Sequence, residues 1–365
     1  VSTPRPVLIA VLAAAAVTAT ACNSAPSPVD ESALPQLTEA KIADSPPADN
    51  PDGRTFRIPG ALAEAELTDL AVADGDVLAV RAGEHLGIGT AEQLATGDYT
   101  DVDVAAGCGP LSVRDTRFLL ACPDGDEGGV IRLFDAASPG SPEDIRVPVP
   151  VTTAALTDDG RILAGASGAG EVLVVSPGES GESPTDATID IKDSVDQLIA
   201  VPVSGESDRA VLIDRGNTLI SGVDWTNSKP GAALRAGLGV GRMSAGEPGT
   251  GVVFASDTRG GQLLVYTVSP VIMLHQMATA GASPWALAWD SPDQVVWVSD
   301  TANNEITAYS VAEGVPVAVG SLRSTADVRG LGITASGELI AVGSDGIQVI
   351  DSAARHDALD VSGTA

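Results

Sequence analysis

Pro284-Trp285-Ala286-Leu287-Ala288-Trp289-Asp290-Ser291 opens a stretch that resumes two residues later. It then reads Gln294-Val295-Val296-Trp297-Val298-Ser299-Asp300-Thr301-Ala302-Asn303-Asn304-Glu305-Ile306-Thr307-Ala308-Tyr309-Ser310-Val311. β-Branched and aromatic residues gather in three short runs, with Asp, Ser, Pro and Asn between them. This composition predicts strand, turn, strand, turn, strand. The stretch is the clearest copy of a pattern that recurs about every 43 residues between positions 67 and 350.

Leu70, Leu111, Ala154, Leu198, Met243, Ala286 and Leu331 occupy equivalent places in the copies, at steps of 41, 43, 44, 45, 43 and 45 residues. Each leads into a turn such as Asp74-Gly75, Asp158-Asp159-Gly160 or Ser336-Gly337, whose residues tolerate positive φ. A β-rich run follows each turn. A repeat of this size made only of short strands predicts an all-β fold, a seven-bladed β-propeller of four-stranded blades. A stack of sandwiches would not repeat so regularly. Thr55-Phe56-Arg57-Ile58-Pro59 has no first strand before it and resembles the fourth strands of other copies. It is expected to close the ring as the outer strand of the last blade, which removes an exposed edge.

Three segments are expected: residues 1–21 as a signal peptide, 22–53 as a Pro-rich disordered tether, and 54–365 as the propeller. Arg5 supplies a positive start, and the apolar run over residues 7–19 is short for a permanent span. It ends in Ala19-Thr20-Ala21-Cys22, which resembles a bacterial lipobox with Cys22 as the acylated residue. An ordinary cleavage near Ala21 is the alternative. Pro26, Pro28, Pro35, Pro46, Pro47 and Pro51 alternate with Ser, Asp and Glu, a composition that stays extended and solvated.

Cys108 and Cys122 lie symmetrically about Asp115, which falls in a turn. A chain that folds back there sets the two thiols opposite each other at a separation that suits a disulfide. An exported protein can form one. The formal net charge is −29. That excludes nucleic acid as a partner, because phosphate binding is driven by Lys and Arg. It also leaves an N-terminal lipid as the only expected membrane contact.

The sequence has no G-x-S-x-G elbow, no H-E-x-x-H and no P-loop. His85, His275 and His356 are scattered. Asp124-Gly125-Asp126-Glu127-Gly128-Gly129, with Asp135 beyond, matches an EF-hand loop at some places but has Gly at the fifth and strands on its flanks. It reads as a solvated turn, so no metal and no cofactor is expected.

The residues Trp297-Val298-Ser299-Asp300-Thr301-Ala302-Asn303-Asn304-Glu305-Ile306 resemble the NHL repeat and the related YncE-like propellers; residues 253–263 are a weaker copy. That resemblance implies a structural Asp-Thr turn and, for most members, a binding platform, although some relatives are lactonases, lyases or metal enzymes. Lysine is scarce, and the whole chain is similar to an actinobacterial secreted lipoprotein, which would carry palmitate.

In a propeller, the residues just before each first strand converge on the channel mouth. Here they include Asp69, Arg242 and Trp285, with Asp196 and Arg329 one place earlier in their blades. Two guanidiniums and an indole could receive a carboxylate, a sugar or a peptide. Local pairing of these arginines with aspartates is the competing expectation. The sequence therefore points to a lipid-anchored, extracytoplasmic, monomeric binding or protein-interaction platform of the cell envelope, not to an enzyme. Its partner would be an envelope protein or a small ligand. The alternative is a metal-dependent hydrolase or lactonase with its site in the central channel.

Overall fold

The structure is a computed structural model. It describes residues 37–125, 128–177, 185–344 and 346–360, and the signal sequence and Cys22 lie outside them. Seven four-stranded antiparallel sheets form a ring, so the chain is a seven-bladed β-propeller. The first strands of blades 1 to 7 are Leu67–Ala73, Ser112–Arg114, Thr153–Leu156, Gln197–Val201, Val240–Ala245, Pro284–Asp290 and Gly330–Ile333. Each touches the first strand of the next blade, and that of blade 7 touches that of blade 1. We call the face where these strands begin the upper face and the one where they end the lower face.

The inner strands are apolar at nearly every position, and successive side chains point to opposite faces, so both faces of a blade are buried there. The core is therefore seven separate clusters, one in each gap between neighbouring blades. Val, Ile, Leu and Ala supply most of it, as the 3% aromatic content requires. Ring closure needs a close approach between blades 7 and 1. A Cβ on Gly330 would lie 2.7 Å from Leu70 Cβ, and one on Gly332 would lie 2.4 Å from Val72 Cγ2. The absent side chains let these two strands meet.

Blade 7 takes its outer strand from the N-terminal side of the propeller, as expected. Arg54–Phe56 pairs with the strand Gly346–Ile350, Arg54 opposite Val349 and Phe56 opposite Ile347. The expected disulfide is also present. Cys108 bonds Cys122 across the turn in which Asp115 has φ 51°. Cys122 is on the second strand of blade 2, but Cys108 is on the connection before the first strand. Arg81 of blade 1 braces that connection, donating to the carbonyls of Ala105, Ala106, Cys108 and Gly109.

One segment differs from expectation, and one that the sequence leaves open takes a defined structure. Residues 37–53, expected as part of a solvated tether, run as a strap over the upper face of blades 5 to 7. Ala43 N donates to Ser283 Oγ (3.0 Å), Ser45 N to Asp327 Oδ1 (3.0 Å), and Asn304 Nδ2 to Pro46 O (2.7 Å). Asp52 takes two guanidinium bonds from Arg323. The Pro-rich sequence stays extended, but its polar groups find partners on the turns. The C-terminal residues, whose structure the sequence leaves open, form a helix over Ser352–Asp360 against the outer strand of blade 6. Arg355 anchors it, buried against Asp290 (2.8 Å) and Asp293 (3.1 Å).

Candidate functional site at the central channel

At the upper mouth Asp69 meets Arg242, and the acceptors of both Asp69 and Asp196 are occupied. Asp69 is 4% exposed. Its Oδ1 accepts from Leu70 N (3.0 Å) and from Arg242 Nη1 (2.8 Å), and its Oδ2 accepts from Leu111 N (2.6 Å). One carboxylate therefore joins blade 1 to blade 2 and reaches blade 5 across the mouth. Asp196 is equally occupied: Oδ1 accepts from Ser167 Oγ and Ser194 Oγ, and Oδ2 from Arg215 N (2.6 Å). Trp285 lays its ring against Gly241, where a Cβ would meet Cε3 at 2.8 Å. Arg329 reaches outward to the exposed Glu66 (3.0 Å). Both arginines thus pair with carboxylates, but not with local aspartates: Arg242 takes Asp69 from another blade and Arg329 takes Glu66.

Sequence reasoning missed Arg215. It sits in the turn Asp214-Arg215-Gly216-Asn217, the blade 4 counterpart of Asp300-Thr301-Ala302-Asn303. In both turns the aspartate serves the backbone. Asp214 accepts from Asn217 N (2.8 Å) and Ser194 N (3.0 Å), and Asp300 from Ser283 N (2.8 Å) and Ala282 N (3.1 Å). Alignment of these turns would have shown a cation beside the mouth. Arg215 Nε donates to Gly241 O (2.8 Å). Burial, and then the nearby Arg242 charge, push its guanidinium down to about 10, against the opposing pull of Asp196, Asp69 and Glu39. Glu39 belongs to the strap, so the strap brings a carboxylate within electrostatic reach of the mouth.

Below this polar ring the seven first strands enclose a cavity of about 660 Å³. Arg242, Arg329, Gln197 and Thr153 line its upper end. Its wall includes Val72, Leu156, Ile199, Leu287 and Ile333. At the lower face it opens beside Val113, Asp115 and Pro248, all exposed. Trp289 also lines this end, stacked on Phe254 at 5.5 Å and donating from Nε1 to Glu247 (2.8 Å). The volume lies within the range usual for small-molecule sites.

Among the described residues, no three His, Cys, Asp or Glu side chains come together to hold a metal ion. His85 meets Asp101 (3.2 Å) on the rim of blade 1, and His356 meets Asp293 (3.2 Å) at the C-terminal helix. Asp124 pairs with Arg146 (2.9 Å), while Asp126 and Glu127 lie outside the described residues. No described helix is long and apolar enough to cross a membrane.

No family model matches the chain, and no curated protein matches it in sequence. Solved structures resemble it in shape. A chain of the Mitotic Checkpoint Complex superposes with a TM-score of 0.63 at 13% identity, covering 85% of this chain and 98% of that one. The β-propeller domain of Cps50 (Swd1) from Myceliophteria thermophila gives 0.60 at 13% identity, covering 81% and 98%. A protein from Lactobacillus plantarum gives 0.57 at 14% identity, covering 78% and 88%. At these identities the likeness shows the fold alone.

Proposed function

We propose that this propeller is a ligand-binding platform of the cell envelope, and that its site is the central channel entered from the lower face. The carrying observation is the asymmetry of the cavity. Its upper end is crossed by the Asp69–Arg242 pair, while its lower end opens past Val113 and Trp289. A concave site with a largely apolar set of side chains and few polar groups is what small-ligand binding requires. Acylation of Cys22 holds the platform on the extracytoplasmic side of the membrane, since an acylated N-terminus anchors without a spanning helix. The NHL- or YncE-like character and an actinobacterial source belong to the same proposal. The upper-mouth residues Asp69, Asp196, Arg242, Trp285 and Arg329 form the closed end of this site.

Two experiments test it. Cys22→Ala should release the protein from the membrane fraction, and unchanged membrane retention would contradict the anchor. A photo-crosslinking side chain at Val113, beside the lower mouth, should trap a ligand in intact cells that the same group at Asp101 on the blade 1 rim does not trap. Equal trapping at both positions would contradict the channel site.

A further inference from the structure

The hydrogen-bonding inventory at the upper end of the channel is one-sided. Asp69 and Asp196 are occupied as described. Gln197 uses both ends of its amide on Met243, Nε2 donating to O (2.9 Å) and Oε1 accepting from N (3.0 Å). Thr153 Oγ1 accepts from Leu198 N (3.1 Å). At this end of the channel the buried side-chain atoms without a partner among the described residues are donors, Arg242 Nε, Arg329 Nε and Trp285 Nε1; unpartnered acceptors such as Asp290 Oδ1 and Asn304 Oδ1 lie elsewhere. Two of them belong to guanidiniums that line the cavity. An unpaired buried donor is costly, and a donor on a cation is best paired with an anion. Arg215 adds a third positive charge beside Arg242, offset in part by Asp196, Asp69 and Glu39.

The cavity wall below carries no comparable charge. Arg114 is committed to the buried Asp208, and Asp115 stands at the open lower mouth. Val72, Ile199, Leu287 and Ile333 lie between the two ends. Each first strand spans up to about 20 Å, so the anion end and the opening are separated by the length of an extended chain.

We infer that the channel takes an organic monocarboxylate with a slender apolar body, its carboxylate at Arg242 and Arg329 and its body directed to the lower mouth. This rests on the channel being the ligand site. An acyl chain and an apolar peptide carboxy-terminus share this chemistry. Sugars and cations do not.

The test uses the mature chain carrying Cys22→Ala and isothermal titration with decanoate, decanol, decylammonium, and an acetylated apolar tripeptide as its free acid and its amide. Decanoate or the tripeptide acid should bind one to one, with the neutral partner at least about tenfold weaker. Whichever acid binds identifies the source. Arg329→Gln should weaken binding about tenfold, since it removes one charged donor and only an exposed ion pair. Ser244→Trp, which fills the channel, should abolish binding. If decanol or the amide binds as well as its acid and Ser244→Trp removes both, the channel stands and the carboxylate inference falls. If the acids bind but survive Ser244→Trp, the channel reading falls. If neither acid binds, the inference is overturned.

Discussion

Arg242 of blade 5 meets Asp69 of blade 1 at 2.8 Å, across the upper mouth of the channel and 173 residues away in sequence. The carboxylate also holds two backbone N–H groups, so the pair ties blades 1, 2 and 5 together. Both side chains are largely buried, 17% and 5% exposed.

This geometry makes Asp69 a structural residue. Asp69→Ala strands Arg242 and two backbone donors, and should cost about 3–5 kcal/mol in denaturant unfolding. The double variant Asp69→Ala/Arg242→Met should recover part of that loss, because no charge is left buried alone. An Asp69→Ala protein of unchanged stability would contradict the assignment.

The disulfide closes a short loop, with a sequence separation of 14. The chain-entropy argument gives about 3 kcal/mol for a loop of this size. Replacing both Cys108 and Cys122 by Ala should lower unfolding stability by that order. Reductant should lower the stability of the wild-type chain and leave the variant unaffected.

The strap has a defined pH response. Burial raises the Asp52 carboxyl, but hydrogen bonds from the Arg323 side chain and backbone, with its charge, outweigh burial and hold it below the ordinary 3.8. A depressed carboxyl stabilises the folded state above the unfolded value and loses that contribution as pH falls through the folded value. The strap end should therefore stay protected from hydrogen exchange at neutral pH and lose protection below about pH 3.8. In Asp52→Asn the protection should be weaker at neutral pH and should lack this acid transition.

The C-terminal helix hangs on a buried ion pair. Burial raises the Asp290 carboxyl, while Trp297 Nε1 and Arg355 pull it down. Arg355→Met leaves Asp290 buried without its cation and should cost about 3–5 kcal/mol. The deficit should shrink as pH is lowered and Asp290 takes up a proton. Asp290→Asn/Arg355→Met should regain most of the loss. Urea titrations of the two variants at neutral and acid pH separate these outcomes.

The ring was readable from the sequence because its signals are local and repeated. Leu70 to Leu331 mark seven first strands, residues 54–56 pair where the missing fourth strand required, and Cys108 and Cys122 match across one turn. Thr90-x-x-Gln93, the capping box of a six-residue helix over Ala91–Thr96, is an equally local signal. The strap was not legible. Ser45 reaches Thr301 O and Asp327 N, more than 250 residues away, through groups that also suit a solvated chain. The C-terminal helix was hidden for a related reason. Its placement depends on Arg355, whose partners Asp290 and Asp293 lie at the end of the first strand of blade 6 and in the turn after it, and a charged residue in a short tail reads as exposed. At the mouth, sequence placed the residues together but could not show that Asp69 and Asp196 were already saturated.

The most direct test of the channel as a ligand site is native mass spectrometry of the chain released from the membranes of cells that make it, compared with its Ser244→Trp variant. The account predicts one small ligand per wild-type chain and none on the variant. A wild-type chain without ligand, or the same ligand on both, would contradict it.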